Sequence, residues 1–461
     1  MKKTLMLMAL VASVNAYGGS IDYLAQQDAE YFAHPSMIGK IGTSGAFYNP
    51  AGTVFMEDGT YFKVNAQTIF KDYTMNTNVK DHLTGDVIKS EHNSDYPSPM
   101  VPSFQFVKKD GDRSYFAHAG IAAGGGTVKY DNGISAFEVI GEEIEKTFNE
   151  GIEIGENKIP LPGTKATYLK GTTVEGSSFY YNINFGMAQK LNEKFSMAGG
   201  IRLIYATRKL EGTGNFDLDL MSTKKGQYGI DVTLDAEREA YGIGGVIGFN
   251  YKPTDRLNIG FKYETEVELD FEAKNKTNGV SVNATSKNSP TVMEGIIGGG
   301  IENSLKNEAV IKEWIVDGNR NLPAMMALGI SYDMTDRLTL LASGNYYFIE
   351  QANEDHAYDN YTNGYEASIG FDYKLNEKYT LMAGYQYTNT GANEGTYKDT
   401  DYALDAHMYC VGMSYSPNET RKYTLSYGFV DYENGTASAE KGSTTFEKTV
   451  HTIGMSAEFK L

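Results

Sequence analysis

Leu257-Asn258-Ile259-Gly260-Phe261-Lys262-Tyr263 follows the turn Pro253-Thr254-Asp255-Arg256, and every second side chain in it is apolar. The same phrase, one tight turn and then strict alternation, recurs at Leu191-Asn192-Glu193-Lys194, Met334-Thr335-Asp336-Arg337 and Leu375-Asn376-Glu377-Lys378. A looser version stands at Pro417-Asn418-Glu419-Thr420-Arg421. Period-2 alternation puts apolar side chains on one face of a strand and polar ones on the other. One turn type repeated this evenly means consecutive antiparallel hairpins, the pattern of a transmembrane β-barrel.

Working outward, fourteen strands are expected. They begin near Tyr61, Val101, Ser114, Ser177, Phe195, Tyr228 (or Ala240), Leu257, Pro323, Arg337, Tyr365, Tyr379, Ala406, Tyr423 and Phe446. In the fourth, Phe179, Tyr181, Ile183, Phe185 and Met187 face lipid, while Ser178, Asn182, Asn184, Gly186 and Ala188 face inward. In the seventh, Leu257, Ile259, Phe261, Tyr263, Val267, Leu269 and Phe271 make the outer row. One set of connections is short and the other long: 129–172, 210–226, 271–321, 391–403 and 433–444. Short inner turns opposite long outer loops, with an even strand number, mark a bacterial outer-membrane barrel and argue against a soluble β-sandwich. The closing strand, ending Ile453 to Leu461 with apolar residues at every odd position, suits a barrel, although its last residue is not aromatic.

The chain opens as a secretory signal peptide, residues 1–16, with Lys2 and Lys3, an apolar stretch from Leu5 to Ala12, and Val14-Asn15-Ala16. That stretch is too short to span a bilayer as a helix. With 34 Tyr and 22 Phe against one Trp, and 59 acidic against 41 basic residues, the chain is acidic and aromatic, which argues against nucleic-acid binding. The single Cys410 leaves no internal disulfide, and seven scattered His give no metal spacing. No cofactor is expected. Nothing resembling a phosphate loop, a His-Glu-x-x-His helix or a Gly-x-Ser-x-Gly elbow is present, so no enzyme is expected.

Residues 17–58 do not alternate, yet they carry Ile21, Tyr23, Leu24, Phe32, Met37, Ile38, Phe47, Tyr48, Val54 and Phe55. A segment this apolar is not left in water, and a fourteen-strand lumen is too wide for wall side chains to fill. Residues 17–58 are therefore expected to fold into the lumen as an N-terminal hatch, leaving 59–461 as the barrel.

Within that segment, Gly45-Ala46-Phe47-Tyr48-Asn49-Pro50-Ala51-Gly52 resembles the hatch of the long-chain fatty acid outer-membrane transporters (FadL-like proteins), which carry Asn-Pro-Ala just before strand one. Leu322 to Ile330, running into Met334-Thr335-Asp336-Arg337-Leu338, is also similar to that family. The resemblance implies Phe47, Asn49, Pro50 and Ala51 as the hatch motif. It also implies a kink in strand three that opens the wall sideways, here at Gly120, Gly124, Gly125 and Gly126. Read alone, Gly124 to Gly126 fits either a bend inside a strand or the turn of a shorter hairpin. The loops carry apolar residues at helical spacing over 134–149 (Phe137, Ile140, Ile144, Phe148) and 303–316 (including Trp314). In relatives such helices form a groove that captures ligand; they equally suit a cap on the barrel mouth.

A carboxylate cargo needs a basic partner inside, and strand parity points Lys63, Arg202 and Arg208 inward, with His118 one pleat below the kink. The expected function is passive outer-membrane transport of hydrophobic molecules, foremost long-chain fatty acids, with lateral exit at strand three. Alternatives are aromatic hydrocarbon transport, a surface adhesin or structural barrel, and a general porin. A monomer surrounded by outer-membrane lipid and lipopolysaccharide is expected.

Overall fold

The computed structural model describes residues 28–81, 85–154, 157–169, 171–222, 228–274, 279–286, 292–307, 315–352, 359–397, 402–439 and 442–461. The expected signal peptide and the first residues of the N-terminal segment lie outside these, as does Trp314.

Fourteen antiparallel strands form a closed ring. They are β1 (Gly59–Lys80), β2 (Val87–Ser94 continuing as Ser98–Asp110), β3 (Arg113–Tyr130), β4 (Val174–Lys190), β5 (Phe195–Asp219), β6 (Tyr228–Thr254) and β7 (Leu257–Glu264, then Asp270–Ala273 and Val280–Ser286). The remainder are β8 (Met325–Asp333), β9 (Leu338–Tyr347), β10 (Gly364–Lys374), β11 (Tyr379–Asn389), β12 (Ala406–Asn418), β13 (Arg421–Tyr432) and β14 (Gly442–Lys460). β14 returns to β1 and pairs from Tyr61↔Lys460 to Val79↔Gly442, which closes the ring and removes both sheet edges.

The repeated turn phrase has one physical cause. At Asn192 and Asn376 the side-chain oxygen accepts backbone N–H groups two and three residues on, at 2.9 and 3.0 Å in both turns. Thr254 and Thr335 do the same through Oγ1, and Asn418 accepts from Thr420. Each turn thus satisfies its own amides without a partner strand, as Asx and Ser/Thr turns do. The outward side chains flanking these turns are Tyr251, Tyr332, Tyr373, Tyr379 and Tyr423, all exposed, which places an aromatic belt at that rim.

Three expectations change. β5 and β6 run 25 and 27 residues, so the 210–226 connection is mostly strand, and the second strand begins at Val87 rather than near Val101. At ~3.3 Å per residue these two strands rise ~80 Å, well past any bilayer. The outer row assigned to the seventh strand also fails after Tyr263. Val267, Leu269 and Phe271 are fully buried, because the register against β6 slips by one residue between Val246↔Glu264 and Arg238↔Ala273. A one-residue slip turns every following side chain to the other face.

Above the rim, α1 (Ser135–Glu150) and α2 (Val292–Asn307) pack on the strand extensions. Phe137, Ile140, Ile144 and Phe148 of α1 are buried among Leu210, Phe216, Leu218, Ile230 and Val232, so they make a cap core and not an open groove. The expected second helix over 303–316 overlaps the end of α2 at 303–307, and residues 308–314 lie outside the described residues.

Residues 28–58 are three short 3₁₀ turns, Ala29–Phe32, Thr43–Ala46 and Pro50–Phe55, with bonds to strands all around the ring. Ala29 N–H donates to Asn65, Tyr31 to Gln386, Ser36 to Ser368, and Ile38 N–H to Ser343. Ser196 and Ser426 donate to the carbonyls of Ala51 and Ala29. Strand glycines make room for this backbone. A Cβ on Gly384 meets Pro35 Cδ at 2.7 Å and His34 Cα at 2.9 Å, one on Gly428 meets Phe32 Cδ1 at 2.6 Å, and one on Gly329 meets Gly39 N at 2.6 Å. Gly384→Val therefore leaves the strand ladder intact but displaces residues 33–36. The expected result is a barrel that still migrates as a folded species on an unheated gel, with faster amide exchange confined to residues 28–48; unchanged exchange there contradicts the packing argument.

Candidate ligand passage

The N-terminal segment is held by charge. Lys63 Nζ on β1 lies 2.8 Å from Asp28 and 3.2 Å from Glu30, and also donates to Ser44 Oγ at 2.9 Å. Lys40 bridges Glu30 at 3.1 Å and Asp372 on β10 at 2.8 Å; His34 meets Asp372 at 2.9 Å, and Lys422 on β13 also reaches Glu30. Burial alone would raise the Glu30 carboxyl, but the ammonium groups of Lys40, Lys422 and Lys63 hold it well below the usual carboxylate range. Lys63, a candidate for binding a ligand carboxylate, is thus occupied by the protein's own acids.

The Gly45–Gly52 motif docks the other half of the segment. Asn49 caps the turn it begins, its Oδ1 accepting from Gly52 N–H at 3.0 Å while Nδ2 donates to Asn250 Oδ1 on β6 at 2.8 Å. Pro50 follows at the first position of that turn, where its missing N–H costs nothing, and Ala51 offers its carbonyl to Ser196. Phe47 lies under Lys262 Nζ, 4.0 Å from the ring centre, and 4.8 Å from the His118 ring. Beside it Arg202, buried, pairs with Glu264 at 3.0 Å, and Lys262 meets the same carboxylate at 3.0 Å. Arg202 and Lys262 thus share one carboxylate, which offsets one of their two charges. They form a polar floor.

Above that floor the lumen turns apolar. Ala122, Ala123, Tyr180, Ile204, Ala206, Ala240, Val267, Leu269, Phe271 and Leu322 form one buried cluster. Arg208 and Arg238 stand directly opposite each other in the β5–β6 register, and both guanidinium groups lie over the Phe271 ring, at 5.6 and 5.4 Å. Arg238 was not foreseen from the sequence. Its signal was its placement, thirty residues after Arg208 on the next strand at the same height.

The wall beside this cluster is interrupted. The β2–β3 ladder runs from Asp110↔Arg113 only to Phe104↔Ala119. On its other side β3 pairs with β4 through shifts at Ile121/Ala123 and Ala123/Gly126. Gly124 and Gly126 have φ of +100° and +71°, so the three glycines form a bulge within a strand, not the turn of a hairpin. Gly120 pairs regularly with Asn182 just below, and Gly125 lies between the two positive-φ residues. Facing this stretch β2 reads Ser98-Pro99-Met100-Val101-Pro102-Ser103, where two prolines supply no N–H to a ladder. Ala122 and Ala123 belong both to the bulge and to the buried apolar cluster.

This is a β-barrel with a filled lumen, a buried apolar cluster above the polar floor and a break in its wall. A sequence profile described as outer membrane protein transport protein (OMPP1/FadL/TodX) matches residues 170–460, and the chain belongs to that family. Its members are channel transporters of the Gram-negative outer membrane, not enzymes. Outer membrane protein P1 of Haemophilus influenzae is 24% identical over 303 residues, 59% of this chain; the chain spans 58% of that relative's length. Among solved structures, a FadL homologue of Pseudomonas aeruginosa superposes with a TM-score of 0.66 at 13% identity, covering 96% of this chain and 99% of the other. The toluene transporters TodX of P. putida and TbuX of Ralstonia pickettii give 0.58 at 14% and 0.53 at 16%, each over 97% of this chain and 99% and 100% of their own.

Two outcomes follow from this geometry. A Cβ at Gly124 runs into the Ser178 carbonyl, and its φ is one that side chains rarely adopt. Gly124→Val is expected to cost ~1–3 kcal/mol locally and to straighten the bulge, read as reduced delivery of hydrophobic cargo by cells that still insert the barrel. Because Glu30 is depressed, the ion-pair contribution to docking is complete above the ordinary carboxylate range near pH 4.5 and is lost as pH falls through the lower folded-state value. Amide exchange of residues 28–48 is therefore expected to stay slow from pH 7 to ~4.5 and to accelerate only below that; release already near pH 6 contradicts the network.

Proposed function

We propose that the protein carries long-chain fatty acids inward across the outer membrane, passively, with residues 17–58 as the hatch and the β2–β3 break as a lateral exit. The observation that carries this reading is the buried apolar cluster that reaches the broken ladder at Ala122 and Ala123 and meets Arg208 and Arg238 at the Phe271 ring. Each methylene withdrawn from water is favourable by ~0.8 kcal/mol, so an acyl chain that parts these side chains passes into lipid without re-entering water. Arg238 Nη2 donates to the carbonyls of Phe271 and Gly318, and the two guanidinium groups over one ring offer positive charge that a ligand carboxylate meets with charge-assisted hydrogen bonds. An aromatic hydrocarbon has no use for either guanidinium. The buried N-terminal segment and the polar floor argue against a general porin, whose lumen is open to solutes.

The test is a binding titration on the detergent-purified chain, comparing palmitate with toluene. Arg208→Met with Arg238→Met is expected to weaken palmitate ~10-fold or more while leaving toluene within twofold, since charged hydrogen bonds contribute ~1.5–3 kcal/mol. Toluene binding with no saturable palmitate binding assigns the protein to aromatic hydrocarbons. Binding of neither removes transport and leaves an adhesin or structural barrel.

A further inference from the structure

Helix α1 turns Glu142 and Glu145, three residues apart, to one side. There they meet Asp81, just past the outer end of β1, so that one carboxylate oxygen of each residue lies within 4.8 Å of the others. Asp81 is 7% exposed, Glu142 5% and Glu145 0%. Lys165 Nζ lies 3.3 Å from Asp81 Oδ2, but its side chain is 47% exposed and free to withdraw into solvent. Glu145 Oε2 accepts the Ala166 N–H at 3.1 Å, whereas its Oε1, equally buried, has no hydrogen-bond partner. Burial, opposed by the Ala166 N–H and reinforced by Glu142 and Asp81, pushes the Glu145 carboxyl up to about 7.

A buried oxygen without a hydrogen-bond partner, on a carboxylate grouped with two more, is costly unless a proton or a cation sits there. The surroundings are built rather than loose. Asn149 Nδ2 donates to the carbonyls of Glu145 and Thr164 at 2.7 and 2.8 Å, and its Oδ1 accepts Gly163 N–H at 2.6 Å, tying the 163–166 turn to α1. The Asp81 turn is closed by its own backbone, Asp81 N–H to Asp86 O at 2.9 Å and Gly85 N–H to Asp81 O at 2.9 Å. The two partners are the β1–β2 turn and the β3–β4 loop. They stand above the β2–β3 seam, where the wall lacks its ladder.

We propose that Asp81, Glu142 and Glu145 form a divalent-cation site that clamps α1 to the outer end of β1 across that seam. All three donors are carboxylate oxygens, with no imidazole or thiolate. This selects a hard ion, and the irregular arrangement suits Ca²⁺, which accepts varied geometry and completes its shell with water, better than Mg²⁺. Lys165 holds the site in place of the ion and swings out when it binds. Below pH ~7 a proton on Glu145 competes with the ion, so affinity falls with acidification.

Calcium titration by calorimetry on the chelator-stripped full chain in detergent at pH 7.5 tests this. One ion per chain is expected, with Kd near the ~10⁻⁴–10⁻³ M of extracellular sites. Glu142→Gln and Glu145→Gln are each expected to weaken binding ~10-fold or more, and Lys165→Met, which removes the competing ammonium, to tighten it. A helix held merely by packing shows no such tightening. Each variant is checked for barrel formation by its unheated gel mobility. No binding up to ~10 mM by the folded protein, or binding unchanged in the Glu142→Gln, Glu145→Gln double variant, overturns the proposal and leaves a proton shared among the carboxyls.

Discussion

Inside a bilayer every backbone N–H and C=O must find its partner within the protein, and the rest of this structure depends on that requirement. It makes the β1–β14 seam necessary and excludes open edges, and it fixes alternation along each strand once one face meets lipid. It also gives weight to a side of the ring where the rule is relaxed. Between β2 and β3 the ladder stops at Phe104↔Ala119, Pro99 and Pro102 have no amide to offer, and the β3 bulge carries two glycines at positive φ. A ladder broken in hydrocarbon is tolerated only where protein or a bound molecule covers it.

Closing fourteen strands leaves a lumen that wall side chains do not fill, and here the filling is ionic as well as apolar. Asp28, Glu30, Lys40, Lys63, Lys422 and Asp372 join the N-terminal segment to three strands. A buried ion pair adds little net stability over apolar packing, but removing one partner is costly, ~3–5 kcal/mol. Such a network therefore fixes position and orientation more than it adds overall stability. It specifies where residues 28–58 sit while leaving a docking that protonation undoes.

Much of this was legible in the sequence, and the reason is local. A strand with lipid on one side and lumen on the other must alternate, and a two-strand turn that satisfies its own amides must use Asn or Thr at one position. The strand starts at Phe195, Leu257, Tyr379 and Ala406 fall where that grammar puts them. Grammar failed where tertiary contacts replace the membrane. Val267, Leu269 and Phe271 alternate like lipid-facing residues but turn inward after a one-residue slip in register, which alternation cannot register because it records period and not phase. β5 and β6 outran their expected ends because their outer halves are covered by α1 rather than by lipid. At the passage, Lys63 and Arg202 were read correctly as inward by parity, but parity says nothing of who neutralises them. Arg238 and the Asp81–Glu142–Glu145 group depend on which strands and loops become neighbours, and that is information only the closed ring supplies.

The account turns on the route taken by cargo, sideways through the wall or straight down the lumen. A fatty acid carrying a photoactivatable diazirine at its tail, cross-linked to the protein in whole membranes and mapped by peptide sequencing, separates the two directly. A lateral route predicts label on residues 98–103 and 119–126, with further label on the apolar cluster around Tyr180 and Phe271. Label concentrated on the short turns at the tyrosine-ringed rim, with none across the β2–β3 break, would contradict it.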